Sequence, residues 1–517
     1  MTARLPRERA SASERAVRDA GKLFTAHIGA GAVSVAFSAW LYRVVPEHGI
    51  ALWPIALSAG GAISALGSFG VGDSFVRVVP DLIARGREHE AAAMLRTGIL
   101  LNALGCAALS VVLWVLAEPA ARLLLREPEM ARYVRPLAVA AFSIALRVRL
   151  ASGLQAIQEF GKQAFLRFFV DALRSPLAVV GYLWWHVHGL ILALTVVALV
   201  DCVLALYWLR RYLFAHRGFH PVGPLLRFSL PYYGVSLSGF LQSQAHYLVV
   251  GAVGGAAALT PYFVAYRLAE YLRSLDHMSV DAVTPKLTER AGSDPERRPA
   301  IFTKCMRYLF LGLLPLHVGA AALARPLLDL YGGSGYAQAA PIFMLLCVGL
   351  FIQALNFVYR AHIQVFSPPS HLLALHIAAG VSTLAGLLIL VPTFGPVGAA
   401  ASRIVVPGAM QFAHAWFLRR TMRLESDLGA IAWAGAGGML IAAVCLSAQV
   451  LLGSEGVTVL VIASVASAAG YAALLWGRVS QADLDVAFGV LPGSLRRRKW
   501  ARRLRRFAES RMVAEKT

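Results

Sequence analysis

The chain has 517 residues, 58% of them hydrophobic and 15% charged, with a mean hydropathy of +0.62. Soluble proteins carry about 25% charged residues, so this balance excludes a water-soluble globular chain and points to an all-α, polytopic membrane protein. The formal charge of +21 sits on arginines clustered between apolar runs and at both ends, the pattern that orients membrane chains, and it argues against nucleic acid as a partner.

In chain order, residues 1–21 read as a basic cytoplasmic tail leading into a retained helix rather than a cleaved signal. Fourteen apolar runs follow, at 22–45, 50–72, 95–117, 133–155, 163–185, 189–210, 227–250, 259–283, 303–324, 338–361, 371–391, 397–418, 429–451 and 457–477. Each is long enough to cross about 30 Å of hydrocarbon as a helix. With both termini inside, every second junction is cytoplasmic. Those junctions carry Arg85, Arg87 and Arg96; Lys162 and Arg167; Arg210, Arg211 and Arg217; Lys286, Arg290, Arg297 and Arg298; and Arg419, Arg420 and Arg423. The opposite junctions are mostly short and charge-poor, apart from the mixed 118–132. The longest internal loop, about 284–302, is a polar linker. Residues 495–510 form a basic amphipathic stretch suited to the anionic cytoplasmic leaflet or to a plain basic tail, and membrane lipids are the partner expected there.

The five cysteines lie singly in or beside apolar runs without metal-ligand spacing, so neither a metal site nor a disulfide is expected. No phosphate-binding loop of the G-x-x-x-x-G-K-[ST] type is present, and no cofactor is expected. A membrane glycosyltransferase or polymerase needs a sizeable periplasmic loop, and no loop here is long enough, so the chain is not expected to be an enzyme.

Turn signals recur at a near-constant offset. Gly49 pairs with Gly254, 116-LAEP-119 with 323-LARP-326, Pro136 with Pro341 and Gly189 with Gly395, at offsets of 205 to 207. Six spans per copy is an even number, so the copies share one orientation and are related by a pseudo-two-fold along the membrane normal. The expected organisation is a six-helix lobe at 22–217, a second at 225–420, two additional helices over 429–477 and a basic cytoplasmic tail at 478–517.

Ionisable residues within the runs mark candidate sites, because each costs about 2.5–3.5 kcal/mol at the bilayer centre on insertion scales. The eighth run carries Arg267, Glu270, Arg273 and Asp276 at three-residue steps, with the two arginines about 9 Å apart along the axis. Two readings are open for this row: a charge ladder facing a cavity between the lobes, or self-neutralising pairs Arg267–Glu270 and Arg273–Asp276. Arg147 and Arg149 in the fourth run point in different directions, so one of them faces a lumen or both snorkel. Asp171 and Arg174 form an i,i+3 pair, Asp201 stands without an acidic companion, and Arg360 and Arg403 lie near run ends where snorkelling suffices. Gln242, Gln244 and His246 add uncharged polar groups to the seventh run, while His27, His317 and His376 read as packing residues.

The stretches 41-LYRVVPEHGIALWPIALS-58, 66-LGSFGVGDSFVRVVPDL-82, 262-YFVAYRLAEYL-272 with Pro285, 327-LLDLYGGSGYAQAAPIFMLL-346 and 391-VPTFGPVGAAASRIV-405 resemble the polysaccharide branch of the multidrug/oligosaccharidyl-lipid/polysaccharide (MOP) exporter superfamily, across runs one to twelve in order. The resemblance implies an alternating-access flippase of the bacterial inner membrane. Its substrate would be a polyprenyl-diphosphate-linked oligosaccharide carried to the periplasmic leaflet, with a polysaccharide polymerase and a chain-length regulator as further partners. A diphosphate calls for guanidinium groups at low dielectric, which assigns Arg267, Arg273, Arg147 and Arg149 to substrate binding, with Glu270, Gln242 and His246 as polar partners. Glu270 and Asp171 are the candidates for ion coupling. Two related functions remain: a lipid II flippase, whose fourteen spans match, and a cation-coupled drug exporter, which leans on an acidic residue in the first span. No acid lies between Gly21 and Val45.

Overall fold

The computed structural model describes residues 33–215, 218–293, 298–366, 369–422, 428–453 and 456–475. The expected basic tails at both ends lie outside them. The described residues form helices joined by short turns, with no strand among them. In order these are α1 (Val33–Val44), α2 (Glu47–Leu66), α3 (Val71–Ala84), α4 (Glu88–Val115), α5 (Ala117–Leu124), α6 (Ala131–Ala156), α7 (Phe160–Ala215) and α8 (Val222–Ser243). The second part holds α9 (Ala245–Ser293), α10 (Arg298–Ala322), α11 (Ala324–Gly332), α12 (Ala340–Phe366), α13 (Pro369–Met422), α14 (Leu428–Leu452) and α15 (Val457–Leu475). Helices are the expected outcome, since lipid offers no partner to an open backbone.

Ten helices among the described residues are long and apolar enough to cross a membrane, against fourteen expected runs. The difference has a partial geometric cause. A straight α7 of 56 residues would reach about 84 Å. Instead it leaves helical angles at Trp185 and His186 and folds back, bringing Gly181 and Gly189 into backbone contact. α13 folds back at Gly395 (φ 58°), where Gly398 meets the Leu390 carbonyl. α9 turns at Gly255 (φ 67°), so that Gly251 faces Leu259.

These turns shift the expected landmarks by a few residues. Gly49 lies inside α2 and Pro46 precedes it, Gly255 rather than Gly254 holds the left-handed conformation, and His186 rather than Gly189 makes the bend. Gly255 follows Pro46, and Gly395 follows His186, by the same 209 residues. The order of short helix, 3-10 turn, long helix and folded-back helix occurs twice. It runs through α5, Pro128–Met130, α6 and α7, and again through α11, Ser334–Ala339, α12 and α13.

The single run expected at 50–72 is split. Phe69 (φ 49°) and Gly70 (φ 73°) break the helix between α2 and α3. Breaking a helix at membrane depth frees carbonyls that need new donors. Asn102 Nδ2 donates to Gly67 O at 3.0 Å, Cys106 Sγ to Ile63 O at 3.6 Å and Ser68 Oγ to Ala65 O at 2.9 Å.

α2 is the most enclosed helix, 72% of its apolar window being buried, and its small residues allow the close approach. A Cβ on Gly60 would sit 2.7 Å from Ile144 Cγ2 of α6. The α14–α15 hairpin is the opposite case, 28% and 22% buried, and it leans on α10. Tyr471 donates to Leu311 O at 2.6 Å and Gln449 to Ala322 O at 2.8 Å.

Candidate functional site

The long limb of α9 after Gly255 sets Arg267, Glu270 and Arg273 at three-residue steps down one flank, because three residues turn a helix through nearly a full circle. The Glu270 carboxylate joins both cations. Oε2 accepts from Arg267 Nη1 at 2.7 Å and Oε1 from Arg273 Nη2 at 3.4 Å. The three side chains are 16%, 28% and 31% exposed, so the row is largely withdrawn from solvent. The pair expected between Arg273 and Asp276 does not form. Arg273 turns back to Glu270 instead, and Asp276 Oδ2 lies 3.3 Å from Nε2 of His317 on α10.

Glu270 and Arg273 line a small cavity with Tyr266, Gln353 of α12 and Arg403 of α13. Gln353, Arg403 and Pro407 also line a second cavity of about 90 Å³, so the two spaces adjoin across these side chains. The second is walled by Gln242, Asn356, His376, Thr383 and His414. Its polar groups are tied together: Asn356 Nδ2 donates to Pro407 O at 2.9 Å, and His414 Nδ1 lies 3.2 Å from Asn356 Oδ1.

Arg403 is the member that sequence reasoning passed over. It does not snorkel to a span end. Its Nη2 donates to Tyr266 OH at 3.1 Å, and its guanidinium stands 5.1 Å from the centre of that ring. The walls of the two adjoining cavities therefore gather the guanidinium groups of Arg273 and Arg403, one carboxylate and neutral amide and imidazole groups, while Arg267 lines neither cavity and is held by Glu270. Such a set can hold an anion by charge and a polyhydroxylated group by hydrogen bonds.

The other expected residues are placed differently. Gln242 lines the larger cavity while donating to Ser238 Oγ at 3.0 Å and His376 O at 3.5 Å, a link between α8 and α13. His246 is buried, with Nε2 2.9 Å from Ser243 O and its ring 4.0 Å from that of Tyr247 and 4.5 Å from that of Tyr266; it lines neither cavity. Arg147 pairs with Asp201 of α7 at 3.4 Å, which supplies the companion that Asp201 lacked in sequence. Arg149 is buried in the first half, its guanidinium filling the space that Gly72 of α3 leaves open. Asp171 falls on α7, outside the described side chains.

Helices of the first half meet those of the second at two sets of contacts. Tyr42 of α1 packs edge-on against Phe263 of α9 and Tyr331 of α11, and Thr260 Oγ1 donates to Glu47 O at 2.8 Å. Elsewhere Arg77 of α3 reaches Tyr232 OH of α8 at 3.1 Å, and Ser229 Oγ donates to Ser74 Oγ at 3.0 Å.

No curated protein matches the chain. Residues 87–341 match the family model described as "Polysaccharide biosynthesis protein". The fold is similar to that of the lipid II flippase MurJ in an inward closed conformation, with a TM-score of 0.67 and 13% identity over 88% of this chain and 99% of that one. It is also similar to an inward-facing multidrug resistance MATE family transporter (TM-score 0.59, 18% identity, 76% of this chain and 94% of that one). An outward-facing form of a MATE family transporter gives a TM-score of 0.53 and 17% identity over 78% and 94%. The family match covers just under half of the chain, and the likeness to the solved structures shows that the chain has the fold of this flippase and these transporters.

Proposed function

We propose that the chain is a flippase that carries a polyprenyl-diphosphate-linked oligosaccharide across the bacterial inner membrane by alternating access, for surface polysaccharide synthesis. The observation that carries this reading is that Arg273 and Arg403 line the adjoining cavities, with Arg267 and Arg273 both bonded to the Glu270 carboxylate. A lumen for a small cationic drug needs the opposite sign. The repeated element order supports two lobes, 22–217 and 225–420, the residues lining the adjoining cavities all belong to the second, and the arginine pattern of the sequence puts both termini in the cytoplasm. In this reading the chain transports and does no covalent chemistry, with the polymerase and chain-length regulator acting on what it delivers.

The deciding experiment uses the purified full chain in proteoliposomes and a fluorescent polyprenyl-diphosphate disaccharide. Wild type is expected to move the probe between leaflets, and Arg273→Ala or Arg403→Ala to slow it at least about tenfold, the loss of one charge-assisted contact. A wild type that leaves the probe in its original leaflet overturns the reading. The fold likeness to MurJ supports lipid II as the competing cargo, since it shares the diphosphate chemistry. Lipid II offered in the same vesicles separates the two: preferential movement of lipid II assigns the protein to cell-wall rather than surface-polysaccharide export.

A further inference from the structure

Away from the candidate site, on the face that the arginine pattern makes periplasmic, the two halves hold one another through a pair of contacts. In the first, the end of α1 meets the end of α11. Tyr42 packs edge-on against Tyr331 at 5.2 Å, and Arg43 Nη2 donates to Leu330 O at 2.6 Å and to Asp329 O at 3.3 Å. Gly333 backs the arginine, since a Cβ there would lie 3.5 Å from Arg43 Cγ. In the second, the turn that follows α5 meets α9 at its bend. A Cβ on Gly251 would lie 2.7 Å from Leu124 O, and Arg126 Nε donates to Ala252 O at 3.3 Å.

The internal repeat makes these the same contact. The 209-residue offset that relates Pro46 to Gly255 carries Tyr42 onto Gly251 and Arg43 onto Ala252. The 207-residue offset between LAEP at 116–119 and LARP at 323–326 carries Leu124 onto Tyr331 and Arg126 onto Gly333. Tyr42 with Tyr331 thus matches Gly251 with Leu124, and Arg43 with Gly333 matches Ala252 with Arg126. Only the direction of the bond is reversed. At the first contact the arginine stands on the long helix and donates to the short one; at the second it follows the short helix and donates to the long one.

Arg126 holds its place against its own backbone preference. Its φ of 57° lies in the left-handed region, which disfavours a residue with a Cβ, whereas the equivalent Gly333 (φ 97°) carries no such cost. Strain of this kind persists where the surroundings fix the residue. Here they are the bond to Ala252 and the packing of the Arg126 stem on Gly255, where a Cβ would lie 3.5 Å from that of Arg126.

We propose that Arg43 and Arg126 are the two latches of a single periplasmic closure, in which each half's short helix grips the other half's turn. Because the contacts are equivalent and join the same two bodies, they form and release together. Weakening one latch therefore weakens the closed state as a whole and is felt at the other. This inference concerns how the protein opens and does not depend on the cargo it carries.

The test uses the full chain in lipid nanodiscs, with spin labels on introduced cysteines; the five native cysteines are buried. Val44→Cys with Arg325→Cys reports the α1–α11 latch, and Leu123→Cys with Ala257→Cys reports the α5–α9 latch, all four positions being exposed. Arg43→Ala is expected to raise the ratio of long to short distances about fivefold at both pairs, the loss of one exposed charge-assisted bond. Arg126→Gly, which removes the side chain and relieves the backbone, is expected to act in the same direction at both pairs. The double variant should show the product of the single effects, on the order of 25-fold if each is fivefold. If each substitution lengthens only the pair beside it, the single closure is overturned and the contacts are local anchors. Unchanged distances in the double variant overturn the latches themselves. If Arg126→Gly does not survive purification, Arg126→Asn tolerates the left-handed backbone, is too short to reach Ala252 and carries the same expectations.

Discussion

Arg43, at the end of α1, lays its guanidinium across the open carbonyl end of α11, donating to Leu330 O at 2.6 Å and Asp329 O at 3.3 Å. Last-turn carbonyls carry the negative end of the helix dipole, so a cation there is favoured as well as bonded. The contact joins residues 286 apart in sequence and belongs to the seal made by Tyr42, Phe263 and Tyr331. Arg43→Ala is expected to loosen that seal by about 1 kcal/mol, the worth of a solvent-exposed charge-assisted bond, which is roughly a fivefold shift between closed and open forms. Distances between spin labels on α1 and α11 check this: the population with the longer separation should grow.

Glu270 holds two arginines, so its removal should be felt more than that of either partner alone. Glu270→Gln leaves Arg267 and Arg273 side by side without a counter-charge, an expected loss of about 3 kcal/mol. Adding Arg267→Gln should recover part of the loss. Thermal unfolding of the solubilised variants, compared in one detergent, gives the ranking.

A Cβ on Gly72 would land on the Arg149 guanidinium. Gly72→Ala is therefore expected to destabilise by about 1–3 kcal/mol, the range for overpacking a filled site. In an Arg149→Ala background the same change should be nearly silent. A cost that stays the same in both backgrounds would show that the strain lies elsewhere in α3.

Arg403 and Tyr266 share a hydrogen bond and a cation–π contact. A double-mutant cycle with Arg403→Ala and Tyr266→Phe should return a coupling of about 1–2 kcal/mol. Independent, additive effects would mean that the ring only fills space.

The helices were legible because a run of eighteen or more apolar residues in lipid has no other way to satisfy its backbone. The turns were legible only to within a few residues. Glycine also serves helix packing inside α2, where Gly49 faces Val187, so a glycine does not by itself announce a bend. The Arg267–Glu270 contact was readable from i,i+3 spacing on one helix. Arg403 was not, because only the position of Tyr266, 137 residues earlier, turns its guanidinium inward instead of toward the headgroups. Arg147–Asp201 and Asp276–His317 were hidden for the same reason: each needs a second helix to bring the partner.

The charges at and behind the adjoining cavities have an electrical consequence. With Arg267 counted behind the wall, three guanidinium groups and one carboxylate leave two net positive charges there. A diphosphate diester brings about two negative ones at neutral pH, so a loaded site is close to neutral while an empty one is not. Moving one elementary charge through the membrane potential is worth about 2.3 kcal/mol per 100 mV. In the proposed cycle the voltage across the membrane thus acts mainly on the empty return, and the polarity of the potential sets how quickly the proposed flippase resets for its next cargo.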